Sequence, residues 1–250
     1  MKKTVYFILL FLIIAGFSQP QPPTLPGINI KVGTTESPRD VANTLEIIAI
    51  LTVLALSPSI LIMITSFTRI IVIFAFLTNA MGMKQMIPNQ ILIALALFLT
   101  FFIMYPVFTS AYNNAMLPYL DGKITYQQAY VQAKIPFRKF MLKQIVSHHN
   151  EETLATFLNI AKIKKVKSDA DIPMRVLIPS FILSELEIAF KIGILIYIPF
   201  LIIDMVTASI LLAMGMIMLP PVMISMPFKI ILFVLVGGWN LLLSGIVRGF

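Results

Sequence analysis

Of 250 residues, 58% are hydrophobic and only 12% are charged, against about 45–50% and about 25% in ordinary soluble domains. That composition excludes a disordered chain and argues against a free-standing soluble enzyme; with no cysteine and only two histidines, His148 and His149, it leaves no disulfide framework, no thiol nucleophile and almost nothing for a zinc site. The net charge of +8 is unevenly placed, and the chain reads as an all-α membrane protein: helical hairpins in two hydrophobic blocks flanking a polar, mainly helical extracytoplasmic insert.

Met1-Lys2-Lys3 forms a short basic region and Val5 to Ala15 an almost unbroken apolar run. Gly16-Phe17-Ser18 then places small residues at the −3 and −1 positions of a cut before Gln19. The run is short for a membrane span, so a cleavable signal peptide over 1–18 outranks an anchor. Pro20, Pro22, Pro23 and Pro26 with Gly27 cannot continue a helix, and 19–44 reads as an extended Pro-rich segment on the far side of the membrane.

The first hydrophobic block, 45–110, carries only Glu46, Arg69 and Lys84 as charges. Leu45 to Leu77 would make a helix of about 50 Å, longer than the ~30 Å of hydrocarbon. Pro58, between Ser57 and Ser59, is expected to kink or break it. Thr65-Ser66-Phe67-Thr68-Arg69 adds polar groups inside the apolar run, Asn79 to Gln90 reads as a turn, and Ile91 to Thr109 as a second helix. A helical hairpin follows, with its polar groups facing protein.

The middle region, 111–176, is basic: Ser110 to Arg175 holds ten Lys/Arg against five acids. Apolar residues recur there at helical spacing, as in Leu154, Phe157, Leu158 and Ala161, with Pro136 and Pro173 as punctuation. The basic run Lys162 to Lys167 suits anionic lipid or nucleic acid, but neither aromatic interleaving nor a nucleic-acid motif accompanies it, and a solvated face is the stronger reading. The positive-inside rule would place this block in the cytoplasm; the rule weakens for loops beyond about 60 residues, so the signal peptide decides, and the block is expected in the periplasm.

The C-terminal block, 177–250, embeds Glu185, Glu187, Lys191, Asp204, Lys229 and Arg248 in apolar sequence. Glu187 and Lys191 are spaced to pair within one helix. Glu185 lies about 200° round the helix from Glu187, so it must find a neighbour, water or a proton. Such groups invite either a proton-relay role or intersubunit or intramembrane polar contact; intersubunit contact is the stronger reading, with Arg69, Glu185 and Asp204 expected to satisfy one another or backbone groups across helix and subunit boundaries. Six of fifteen methionines lie between Met205 and Met226, and Met214-Gly215-Met216-Ile217-Met218-Leu219 runs into Pro220-Pro221. The paired prolines are expected to break the helix there, with Gly215 loosening the segment before them.

Ser66-Phe67-Thr68-Arg69-Ile70, Pro88-Asn89-Gln90 and Ala94 through Met104 resemble the FliP family of flagellar export-gate proteins, as do Pro179 through Gly193, Pro199 through Asp204, Leu219 through Ser225 and Pro227-Phe228-Lys229. The resemblance covers nearly everything from Leu45 to Trp239. Three positions depart from the family pattern: Ser180 stands for the usual alanine, Ile217 interrupts a methionine run, and Gly237 replaces the aspartate before Gly238-Trp239.

The resemblance implies a core pore-forming subunit of the flagellar type III protein export gate in the bacterial inner membrane and basal body. It implies a homo-oligomer assembled with FliQ and FliR into a helical channel held largely above the membrane plane. FlhB and FlhA are expected as further partners, membrane lipid as surroundings, and unfolded flagellar subunits as cargo. No cofactor, catalytic residue or nucleic acid is expected. Methionine side chains are flexible and polarisable; by composition alone those near 214 would simply fill a core, but the resemblance implies a gasket formed by Met214, Met216 and Met218. Alternatives are the equivalent subunit of a virulence type III secretion system or an independent ion channel or transporter; a secondary transporter would be expected to show internal repeats, which are not visible.

Overall fold

The computed structural model describes residues 38–83, 86–163, 168–216 and 218–250. The signal peptide, most of the Pro-rich stretch, Lys84, much of the Lys162–Lys167 run and Ile217 lie outside the described residues. The chain divides into two units, Met1–Thr52 and Val53–Phe250.

Helix α1, Pro38–Met63, begins before the expected boundary, so 38–44 is helical rather than extended. It also continues across Pro58, so of the kink or break expected there the break does not occur. Apolar surroundings penalise an open backbone more than a proline does. The chain turns instead at Ile64–Ser66, where the Thr65 hydroxyl donates to Ile62 O and accepts from Phe67 N, satisfying the backbone outside a helix.

Helix α2, Phe67–Ala80, has Phe67, Ile70, Ile73, Phe74, Leu77 and Ala80 buried, the spacing of a helix enclosed on its inner face. It packs against α3, Asn89–Ala111, and against α7, Met174–Ala213. Helix α3 continues through a π-helical turn, Tyr112–Met116, into α4, Leu117–Leu120. The apolar segment Asn89–Leu120 is thus 32 residues long, while its own buried set is limited to a few positions such as Leu92, Ala96 and Met104.

Helix α5, Tyr126–Ser147, is opened by a capping box in which Gln128 N donates to Thr125 Oγ1 and Thr125 N to Gln128 Oε1. Pro136 sits inside α5 and does not punctuate it. Helix α6, Glu151–Ile160, starts with Glu151 and Glu152 beside its positive end. Pro173 does mark a boundary: it precedes α7, Met174–Ala213. At 40 residues, α7 is about 60 Å long. Helices α8, Pro221–Leu235, and α9, Gly238–Arg248, are bent against each other by 64°.

The polar middle region is not a separate layer. Met104 of α3, Phe140, Met141 and Ile145 of α5, and Leu177 and Phe181 of α7 share one core. A second joins Ile70 and Phe74 to Leu92, Ala96, Ala189 and Ile246, and a third joins Leu77, Met81, Phe200 and Phe233. Two segments, Asn89–Leu120 and Met174–Ala213, are long and apolar enough to cross a membrane, and α8 with α9 would make a third if taken as one broken span. With no strand among the described residues, the architecture is that of an all-α membrane protein.

Candidate functional site: two buried ion pairs and a methionine turn

Arg69 is the largest fully buried side chain among the described residues. Its Nε donates to Glu185 Oε2 at 2.7 Å and its Nη2 to Glu185 Oε1 at 2.6 Å, with the two side chains 1% and 0% exposed. This two-pronged geometry is the strongest form of ion pair. Nη2 also donates to Gln144 Oε1 at 3.0 Å and Nη1 to Gly249 O at 2.8 Å. His148 Nε2 lies 3.2 Å from Nη1 and 3.1 Å from Gly249 O, its tautomer deciding which it engages. The guanidinium also stacks over the Phe250 ring, 4.0 Å from its centroid. Lys143 Nζ and Gln144 Nε2 donate to Phe250 O, so one joint ties α2, α5, α7 and residues 249–250. Burial, then the Arg69 charge, lowers the His148 pKa below its ordinary value.

Asp204, expected to pair with Arg69 and Glu185 or with backbone groups, lies apart from this joint. It lies 19 positions after Glu185 on one helix, about 28 Å along the axis. Its Oδ2 accepts from Lys229 Nζ at 2.6 Å, and its Oδ1 from the Ser225 hydroxyl. Lys229 Nζ also donates to Ala80 O at 2.9 Å, in the last turn of α2, where a cation is favoured. Lys229 is 1% exposed and Asp204 20%. Glu187 and Lys191 pair on the surface at 2.7 Å. A third polar contact, Asn150 Nδ2 to Ser184 Oγ at 2.9 Å, pins the α5–α6 corner to α7.

Helix α7 ends at a left-handed cap. Gly215 has φ +75°, Gly215 N donates to Leu212 O, and Met216 N donates to Leu211 O, the two bonds of a glycine-closed helix end. Gly215 therefore stops the helix, and the expected break at Pro220-Pro221 is a beginning: Pro220 precedes α8 and Pro221 is its first residue, where a missing N–H costs nothing. Met218 is 97% exposed and Met214 66%, with Met216 half-buried.

Sequence reasoning named Arg69, Glu185 and Asp204 but missed Lys229, Gln144, His148 and Ser225 as partners. For Lys229 a signal existed, because no acid lies within two turns of it on its own helix. Two departures from the family pattern also have a structural account. The Ser180 hydroxyl is buried but donates to Val176 O at 2.7 Å, so it needs no partner off its helix. Gly237 has φ +64°, and a side chain there would meet nothing within 4 Å.

Long apolar helices knitted by buried ion pairs, with apolar side chains left exposed along them, define an integral membrane protein of the all-α class. The chain belongs to the FliP family, whose model matches residues 50–246. It is similar to the flagellar biosynthetic protein FliP of Bacillus subtilis (strain 168), 48% identical over 88% of this chain and 98% of that one. It is also similar to proteins of the same name from Aquifex aeolicus (strain VF5), 46% identical over the whole of both chains, and Treponema pallidum (strain Nichols), 44% identical over 95% of this chain and 87% of the other.

Proposed function

We propose that this protein is a core pore-forming subunit of the flagellar type III protein export gate, a non-enzymatic component that passes unfolded flagellar subunits across the inner membrane. Family membership and the relatives' names support a place in flagellar biosynthesis. The observation that carries the finer reading is the exposed methionine turn at the end of a 40-residue apolar helix. A flexible, apolar, ionically inert rim suits a seal that must yield to varied polypeptides.

In this reading several copies assemble with FliQ and FliR, beside FlhA and FlhB. Met214, Met216 and Met218 form the gasket, and Pro220 and Pro221 aim α8 away from it. The region 111–176 faces the periplasm, and the mature chain starts near Gln19. Arg69, Glu185 and Asp204 act inside each chain, fixing the helices that carry the turn, and the surface pair Glu187–Lys191 is left for contact with a neighbour. Deleting the gene should abolish release of flagellar subunits and leave the other gate subunits unassembled. Full export without this chain would overturn the proposal.

A further inference from the structure

Two grooves meet along α5 at Lys139 and Lys143. One, of about 520 Å³, lies between α3 and α5 and is apolar except for those lysines and Ser110, with Phe102, Ile103 and Val107 on the α3 side. The other, of about 700 Å³, runs along the opposite flank of the same two lysines, where Lys134 and Arg138 join them. Of the five ionisable side chains lining that second groove, Asp169 alone is acidic.

None of these four cations has a carboxylate side chain within ion-pair distance among the described residues. Arg138 donates to the backbone carbonyls of Asp169 and Ile172, which orient the guanidinium without cancelling its charge. Lys134 stands over the Tyr130 ring at 3.9 Å, and Lys143 donates to Phe250 O. Lys139 has neither a hydrogen bond nor an ion pair among the described residues. Side chains at i and i+4 start about 5–6 Å apart, close enough for Lys139 and Lys143 to bind one phosphate together.

The surroundings indicate where such a phosphate comes from. The apolar groove is walled by α3, part of a segment long enough to cross a membrane, and Phe101 and Phe102 are exposed beside it. Tyr105 and Tyr112 are exposed, and exposed tyrosines gather at the headgroup level of a bilayer. Lys139 and Lys143 flank α3 at Pro106 to Ser110, between these two tyrosines. A basic site at headgroup height opening onto an apolar groove matches a two-part ligand.

We propose that the paired grooves bind one anionic phospholipid, its phosphate between Lys139 and Lys143, its headgroup toward Lys134 and Arg138, and an acyl chain in the α3–α5 groove. The site does not depend on the export reading. An acidic protein segment is the rival occupant, and it would use the basic groove while leaving the apolar one empty.

The test is native mass spectrometry of the delipidated full chain in a neutral detergent. The probes are phosphatidylglycerol, phosphatidylcholine with the same acyl chains, inorganic phosphate, and a poly-glutamate peptide. Phosphatidylglycerol should be retained about tenfold over phosphatidylcholine, and Lys139→Glu should remove that preference. Val107→Trp, which fills the apolar groove without touching a charge, should weaken phosphatidylglycerol retention severalfold while leaving helical circular dichroism unchanged. Equal retention of the two lipids, or of phosphatidylglycerol by wild type and both variants, would overturn the proposal. So would saturation by inorganic phosphate alone, or peptide binding that blocks phosphatidylglycerol and ignores Val107→Trp.

Discussion

The two halves of α7 face opposite situations. From Val176 to Gly193 its inner face is closed: Val176, Ser180, Ser184, Glu185, Ala189 and Gly193 meet α2, α5 and α6, with small residues where the helices come nearest. From Ile194 to Ala213 only Phe200 and Leu211 are buried, and Leu195, Ile202, Met205 and Leu212 stand out of the fold. One unbroken helix is thus closed along its first half and largely open along its second, where Phe200 and the Asp204–Lys229 pair are its main holds. Buried charges occur where the chain can saturate them with its own groups, and apolar side chains are left free where lipid or another subunit must cover them.

Removing one partner of the closed half should do the most damage. Arg69→Ala or Glu185→Ala leaves a buried charge uncompensated, at a cost of about 3–5 kcal/mol. Thermal unfolding of the purified chain in detergent should show a large loss in each. The paired replacement Arg69→Met with Glu185→Leu should recover most of it, because apolar residues of similar volume remove the need for compensation. A paired variant as unstable as the sum of the two would contradict the joint.

Asp204 and Lys229 lie within the open half, where they hold α8 to α7, and the partly exposed carboxylate softens the effect. Asp204→Ala should cost about 1.5–3 kcal/mol, the range for a charged hydrogen bond. Lys229→Ala should cost no less, since it also strips Ala80 O. Indistinguishable unfolding of Asp204→Ala and wild type would place the pair among contacts of no consequence.

Gly193 tests the packing of the closed half without charge. A Cβ there would come within 2.4 Å of the Phe76 ring, so Gly193→Ala should cost about 1–3 kcal/mol through overpacking. Phe76→Leu should relieve much of that loss in the double variant, and additive losses would contradict the clash.

The smallest effects lie at the two histidines. Burial and the Arg69 charge lower the His148 pKa, so His148 binds its proton less readily folded than unfolded. Its contribution is therefore intact above an unfolded pKa of about 6.5 and declines as pH falls below that value toward the folded one. Thermal midpoints at pH 7.5 and 5.5 should separate more in wild type than in His148→Leu; equal separations would contradict the assignment. His149 occupies a left-handed helix end, φ 57°, and His149→Gly should stabilise by up to about 1 kcal/mol.

Much of this was legible in the sequence, and the misses share a cause. Hydrophobic periodicity and charge spacing predicted helices, the surface pair Glu187–Lys191 and the α2–α3 hairpin, because those depend on neighbours in sequence. Proline misled twice. Pro58 and Pro136 lie inside helices where a break or boundary was read, and at Pro220-Pro221 the break is present but Gly215 ends the helix before it and Pro221 opens the next. The Arg69 joint could be anticipated only as a need for partners. Gln144, His148 and the carbonyl of Gly249 come from positions 75 to 180 residues away, and no local pattern marks them.

In the proposed function the closed half of α7 holds the fold while the turn at its far end forms the seal, and one measurement divides the two roles. Membrane conductance should be recorded from cells carrying Met214→Ala, Met216→Ala and Met218→Ala together, in parallel with recovery of the assembled gate. The account predicts a full yield of assembled complex and a resting leak of small ions absent from wild type. Wild-type conductance with the complex fully assembled would contradict it.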